Sequence, residues 1–125
     1  MMSTGSILSI AESYLKLATT REQVISANMA NIDTPGYHSR DIDFQHELSR
    51  ALDTPMMKTG DCSGTVQLLP VIRQVPGLME RPDGNNVNLD REGLMLAQTQ
   101  LQFRMGVDLI KNEFHRLSEA IEEGK

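Results

Sequence analysis

Three histidines, a single cysteine and two polar, glycine-bearing stretches are the residues of this chain best suited to chemistry. His46-Glu47-Leu48-Ser49-Arg50 opens like the helix of a zinc protease, in which two imidazoles one turn apart hold the metal and a glutamate activates water. Arg50 occupies the second imidazole position, so the metal lacks a ligand. His38, His46 and His115 share no helical ligand spacing, and each reads as an ordinary surface histidine. Asp83-Gly84-Asn85-Asn86-Val87-Asn88-Leu89 is oxygen-rich in the manner of a calcium loop. Val87 and Leu89, however, stand where oxygen ligands should alternate, and the glycine is misplaced. Gly60-Asp61-Cys62-Ser63-Gly64 lacks the lysine of a phosphate-binding loop. Cys62 is alone, which excludes an intrachain disulfide, and it has no histidine in local support for nucleophilic chemistry. The expectation is a chain without catalytic residues, metal or cofactor.

Hydrogen-bonding side chains are concentrated elsewhere, in Ala27-Asn28-Met29-Ala30-Asn31-Ile32-Asp33-Thr34-Pro35-Gly36-Tyr37. Asn28 falls on an apolar helical stripe, and Asn31 sits where a helix end needs partners for its free carbonyls. Pro35 biases Thr34 away from helical angles, and Gly36 can supply the positive φ of a type II turn. A helix that closes on two asparagines and then turns sharply is therefore expected here.

Two long helices must position these residues. The first spans about Ser6 to Asn31, with Ile7, Ile10, Tyr14, Leu17, Arg21, Val24 and Asn28 in alternating steps of three and four. Such a stripe is a coiled-coil seam, and its helix would be ~39 Å long at 1.5 Å per residue. The last spans about Asp90 to Glu122, where Leu89, Gly93, Leu96, Gln100, Phe103, Val107, Ile110, Phe114, Leu117 and Ile121 keep the heptad steps. Asp90 reads as its N-cap, with Glu92 placed favourably in the first turn and Gly124 as its stop. Ile10, Tyr14, Leu17 and Val24 are expected to pack against Leu96, Phe103, Val107, Ile110, Phe114 and Leu117. A second line, Leu94, Leu101, Met105 and Leu109, lies on a neighbouring flank that the first helix cannot also cover. It is the candidate surface for contact between subunits.

The segment from 32 to 89 differs from both. Asp43 can cap a short helix carrying Phe44, Leu48 and Leu52. Thr65–Leu69 and Val71–Val75 read as short extended segments separated by Pro70, and Arg81–Asn86 as a turn. The fold class expected is mainly α: paired N- and C-terminal helices with a partly irregular middle that carries short strands. The chain divides into 1–31, 32–89 and 90–125.

Composition supports an assembly subunit over a self-sufficient globule. Only 39% of the 125 residues are hydrophobic, Trp is absent, and Tyr and Phe together number five, so the aromatic share of a compact core is small. Eight methionines favour adaptable apolar surfaces. A net charge of −5 with scattered basic residues argues against nucleic-acid binding. No stretch approaches the roughly 18 apolar residues of a membrane span, and the N-terminus lacks the basic and apolar regions of a secretory signal.

Ala27, Asn28, Ala30, Asn31, Thr34, Pro35, Gly36 and Tyr37 together resemble the N-terminal signature of bacterial flagellar basal-body rod and hook proteins. Ser39-Arg40-Asp41-Ile42-Asp43-Phe44 and the run from Asp83 to Glu92 are similar to the proximal-rod branch of that family. The resemblance implies a structural, non-catalytic subunit whose terminal helices pair and pack around an axial channel, passing torque from the membrane ring toward the hook. It implies as partners other copies of the chain, other rod subunits, and membrane-ring and adaptor proteins of the basal body. It further implies passage through the flagellar type III export apparatus without a cleaved signal, and a place in the periplasmic rod. Another rod subunit, or a cytoplasmic helical adaptor or export chaperone, shares the acidity and the helices and is the alternative.

Overall fold

The computed structural model describes residues 4–53 and 69–124. In chain order its elements are α1 (Thr4–Ala30), β1 (Arg40–Asp41), α2 (Phe44–Asp53), β2 (Arg73–Gln74) and α3 (Leu89–Glu123). After Gly5, α1 contains neither Gly nor Pro. Its two adjacent threonines turn their hydroxyls back onto the helix, Thr19 to the Leu15 carbonyl and Thr20 to that of Lys16, each at 2.9 Å. The middle helix is capped as the sequence predicts: the Asp43 Oδ1 accepts from the His46 amide at 3.2 Å.

The N-cap of α3 is Asn88 instead of Asp90. Its extended backbone (φ −112°) lets Oδ1 accept from the amides of Asp90 and Arg91, leaving Asp90 and Glu92 as favourable charges in the first turn. At the other end the Gly124 amide donates to the Ala120 carbonyl at 3.0 Å, with φ −75° and no left-handed residue.

Helices α1 and α3 run antiparallel. Gly106 lies against Tyr14 and Leu15, Met95 meets Arg21, and Glu92 meets Asn28, so the numbers fall on one helix as they rise on the other. On α3 the buried face is turned by one residue from the apolar stripe of the sequence, whereas on α1 it takes in the stripe residues Leu17 and Val24 together with the positions beside them. On α1 the fully covered positions are Ala11, Ala18, Ile25 and Asn28, with Arg21 nearly so. On α3 they are Glu92, Thr99, Gly106 and Glu113, spaced seven apart. The physical reason is size. Small residues at Ala11, Ala18 and Gly106 let the two backbones approach, and the bulkier side chains lie beside the line of contact.

The apolar core lies beside this line of contact, sharing Ala18 and Tyr14 with it. Leu17 and Ala18 pack with Ile42 and Phe44, joined by Tyr14 and Leu48, and the Tyr14 and Phe44 rings meet edge to face with centroids 5.0 Å apart. Helix α1 is thus the central member, with α3 on one face and α2 on another; α2 and α3 make no backbone approach among the described residues. Strands β1 and β2 pair antiparallel, Arg40 opposite Gln74 and Asp41 opposite Arg73. Of the extended segment expected over Val71–Val75, Arg73 and Gln74 form the strand, and the Val75 amide donates to the Ser39 carbonyl at 2.9 Å. Pro70 and Pro76 bound it and offer no amide to a ladder. The segment expected over Thr65–Leu69 lies outside the described residues except for Leu69. Among the described residues, no helix is long and apolar enough to cross a membrane.

Candidate functional site

The residues after α1 and before α3 form one buried polar junction. Asn28, wholly buried, uses its complete bonding capacity. Its Nδ2 donates to the Arg40 carbonyl at 2.7 Å and to Glu92 Oε2 at 3.1 Å, while its Oδ1 accepts from the Arg40 amide and the Tyr37 hydroxyl, both at 3.0 Å. Glu92, 1% exposed, also accepts from Ser39 Oγ at 2.9 Å and from Arg91 at 3.2 Å. A carboxylate this deeply buried is tolerated only when paired and hydrogen-bonded, as this one is on both oxygens.

Asn85 performs the equivalent task for the opposite loop. Its Nδ2 donates to the carbonyls of Asn31, Ile32 and Thr34 at 2.9–3.0 Å, and its Oδ1 accepts from the Val87 amide at 2.8 Å. The carbonyls freed where α1 ends are therefore satisfied from another part of the chain. Asn31 turns its own side chain back to Ala27 at 2.7 Å and receives Thr34 Oγ1 at 3.1 Å. Pro35 and Gly36 redirect the chain, with Gly36 at φ +76° and its amide donating to the Asp83 carbonyl at 2.9 Å. Gly84, also at positive φ, faces Gly36 so closely that an added Cβ would lie 3.3 Å from the Gly36 Cα. Asn86 completes the join by accepting the Ser39 amide at 2.6 Å. Two turns back along α1, Arg21 clasps Asp41 through two bonds of 3.1 and 3.2 Å.

Of the signature residues, Asn28 and Tyr37 enter this network through their side chains and Asn31 and Thr34 brace the turn. Ala27 and Ala30 are exposed on the last turn of α1. Asn85, Asn86, Ser39 and Glu92 were not singled out as site residues in the sequence. A run of turn-forming residues signals a loop, but nothing local says that its Asn85 serves a helix end more than fifty residues away or that Asn86 takes the Ser39 amide.

The packing residues divide. Leu17 and Val24 are buried, Ile10 and Tyr14 half-buried, and Leu17 and Tyr14 belong to the α2-facing core. Leu96, Val107, Ile110 and Leu117 are half-buried beside the line of contact. Phe103 and Phe114 are 39% and 58% exposed, so α1 does not cover them. Leu94, Leu101, Met105 and Leu109 are all exposed, by 42% to 65%, and form an uncovered row along α3. Desolvation raises the Tyr14 phenol above its ordinary pKa. Among the described residues, no group of three or more His, Cys, Asp or Glu is arranged to hold a metal.

A junction that locks two helices and a row that none of the described residues covers suit an assembling subunit, and the comparisons with known proteins agree. The family model for the flagella basal body rod protein matches residues 8–38, which spans most of α1 and the turn with its asparagines. The flagellar basal body rod protein FlgB of Salmonella typhimurium is 30% identical, with 94% of each chain covered. That of Escherichia coli is 31% identical over the same shares, and that of Bacillus subtilis 30% identical over 91% of this chain and 92% of its own. The chain belongs to the FlgB family of flagellar basal body rod proteins.

Proposed function

We propose that the chain is a structural, non-catalytic subunit of the proximal rod of the bacterial flagellar basal body, assembling helically with copies of itself and other rod subunits around an axial channel. The observation that carries this reading is the exposed Leu94, Leu101, Met105 and Leu109 row on a 35-residue helix whose own partner occupies a different face. Left in water, that row forgoes burial worth about 25 cal/mol per Å², and like subunits can recover it. The junction suits the same role, because it ties both terminal helices into one unit through which torque passes toward the hook. Membrane-ring and adaptor proteins of the basal body would be its remaining neighbours. On this reading the chain passes through the flagellar type III export apparatus without a cleaved signal and takes its place in the periplasmic rod.

The test is deletion and tagged complementation in a motile host. Loss of motility, its restoration by the tagged chain, and recovery of that chain with an unshortened N-terminus in purified basal bodies is the expected result. Normal swimming after deletion, or a tag confined to the cytoplasm, overturns it.

A further inference from the structure

Helix α3 has a second open flank, on the far side of the contact line from the Leu94–Leu109 row. There an open groove of about 550 Å³ is lined by Glu22 of α1 and by Gln100, Phe103, Arg104, Val107, Asp108 and Lys111 of α3. Glu22 lies roughly 140° around α1 from Leu17, so α2 does not reach it. Phe103 and Val107 supply the apolar surface. Glu22 stands on one wall and Arg104 and Lys111 on the other, and none of these four charged residues, Asp108 included, forms an ion pair or hydrogen bond among the described residues. Elsewhere on the same helices some exposed side chains do close, Glu12 with Lys16 at 3.0 Å and Glu119 with His115 at 3.1 Å.

We propose that this groove receives the Leu94, Leu101, Met105 and Leu109 row of a second copy of the chain. The assignment rests on the reading of the chain as a rod subunit and says how one copy meets the next. Its basis is complementarity within one sequence. By helical spacing the row is edged by Asp90 and Asp108 on one side and by Arg91 and Arg116 on the other. An acidic edge thus matches the Arg104–Lys111 wall while the basic edge matches Glu22. Asp108, on the ridge between groove and row, is common to both.

Row and groove occupy opposite flanks of one helix, so they cannot meet within a molecule. Joined between molecules they make a head-to-tail contact, and such contacts extend into helical arrays when rotation does not close them. A self-paired contact, row on row, would instead stop at a dimer and leave the four groove charges without partners.

The experiment uses the full chain with Cys62→Ser as background. Two distinguishably tagged copies are expressed together in a motile host, one with Val107→Cys in the groove and one with Leu101→Cys or Met105→Cys on the row, and oxidised in isolated basal bodies. The mixed cross-link should exceed the two same-site products combined, and His115→Cys on the charged face should give none. Same-site products that equal or exceed the mixed one overturn the inference, as does cross-linking only to a chain of different mass or none at all. If neither tagged copy is recovered in basal bodies, the rod reading itself fails, which separates the two outcomes.

Discussion

Asn85 holds three carbonyls of the opposite loop with one side-chain nitrogen and accepts the buried Val87 amide on its oxygen, so its replacement by alanine removes their shared donor and strands that amide. Asn85→Ala should lower stability by about 1–3 kcal/mol, the cost of leaving buried polar groups unpaired. Urea denaturation of the purified chain measures it, and a change within about 0.5 kcal/mol, usual for surface sites, would contradict the junction's role. Gly106 separates two opposing effects. A Cβ there would meet Leu15 Cδ2 at 2.9 Å and Tyr14 Cδ1 at 3.0 Å. Alanine gains up to about 1 kcal/mol of helix propensity and asks only that two side chains yield, so Gly106→Ala should be close to neutral. Gly106→Leu cannot be accommodated so easily and should cost about 1–3 kcal/mol by overpacking in the same assay. Tyr14 adds a pH dependence. Burial raises its phenol above the ordinary value of 10.0, so above that pH the unfolded chain ionises more readily than the folded one. The stabilisation is therefore complete below pH 10.0 and is lost as pH rises through the folded value, a decline that Tyr14→Phe should flatten in melts across that range.

At the scale of elements, the row on α3 and the contact line with α1 should respond differently to the same change. Leu101→Asp with Met105→Asp places charge on an exposed face, so the stability of the isolated chain should move by no more than about 0.5 kcal/mol per site. Swimming and incorporation into basal bodies should nevertheless be lost, and retention of both would remove the row from any interface. The three helices and the Asp43 cap were legible in the sequence because period, capping residues and the lack of breakers all agree locally. The orientation of the paired helices was not. Alternate positions of the apolar stripe are shared with the buried face, at Tyr14, Arg21 and Asn28 and at Leu96, Ile110 and Leu117. The intervening positions are decided by Ala11, Ala18, Thr99 and Gly106, where smallness counts for more than apolarity. Hydrophobic period cannot register that preference. The junction was half legible: Asn28 and Asn31 announced a polar helix end, but their partners Ser39, Asn85, Asn86 and Glu92 come from fold geometry alone.

For the molecule as a whole, support is uneven along the hairpin. Loops and α2 brace α1 from about Tyr14 to its end, whereas among the described residues the stretch toward Thr4 has only α3 beside it. Antiparallel numbering places Thr4 near residue 116, so the final turns of α3, with Ile121 68% exposed, extend past their partner. A helix pair alone buries too little to offset the entropy of ordering it. Amide exchange in the isolated chain should accordingly be slowest around Asn28, Ser39 and Glu92 and fastest before Ala11 and after Glu113; uniform protection along both helices would contradict this. The glycine at 106 carries one more consequence, for how the halves find each other. The covered positions on α3 recur every seven residues, so a slip by one repeat, ~10.5 Å, would present a similar face to α1. It would also bring the whole side chain of Thr99 or Glu113 into a space where even a Cβ already presses on Tyr14 and Leu15. The absence of a side chain at that single rung therefore sets the alignment of the whole ladder, and a folding chain that pairs one rung out meets a clash it can relieve only by sliding home.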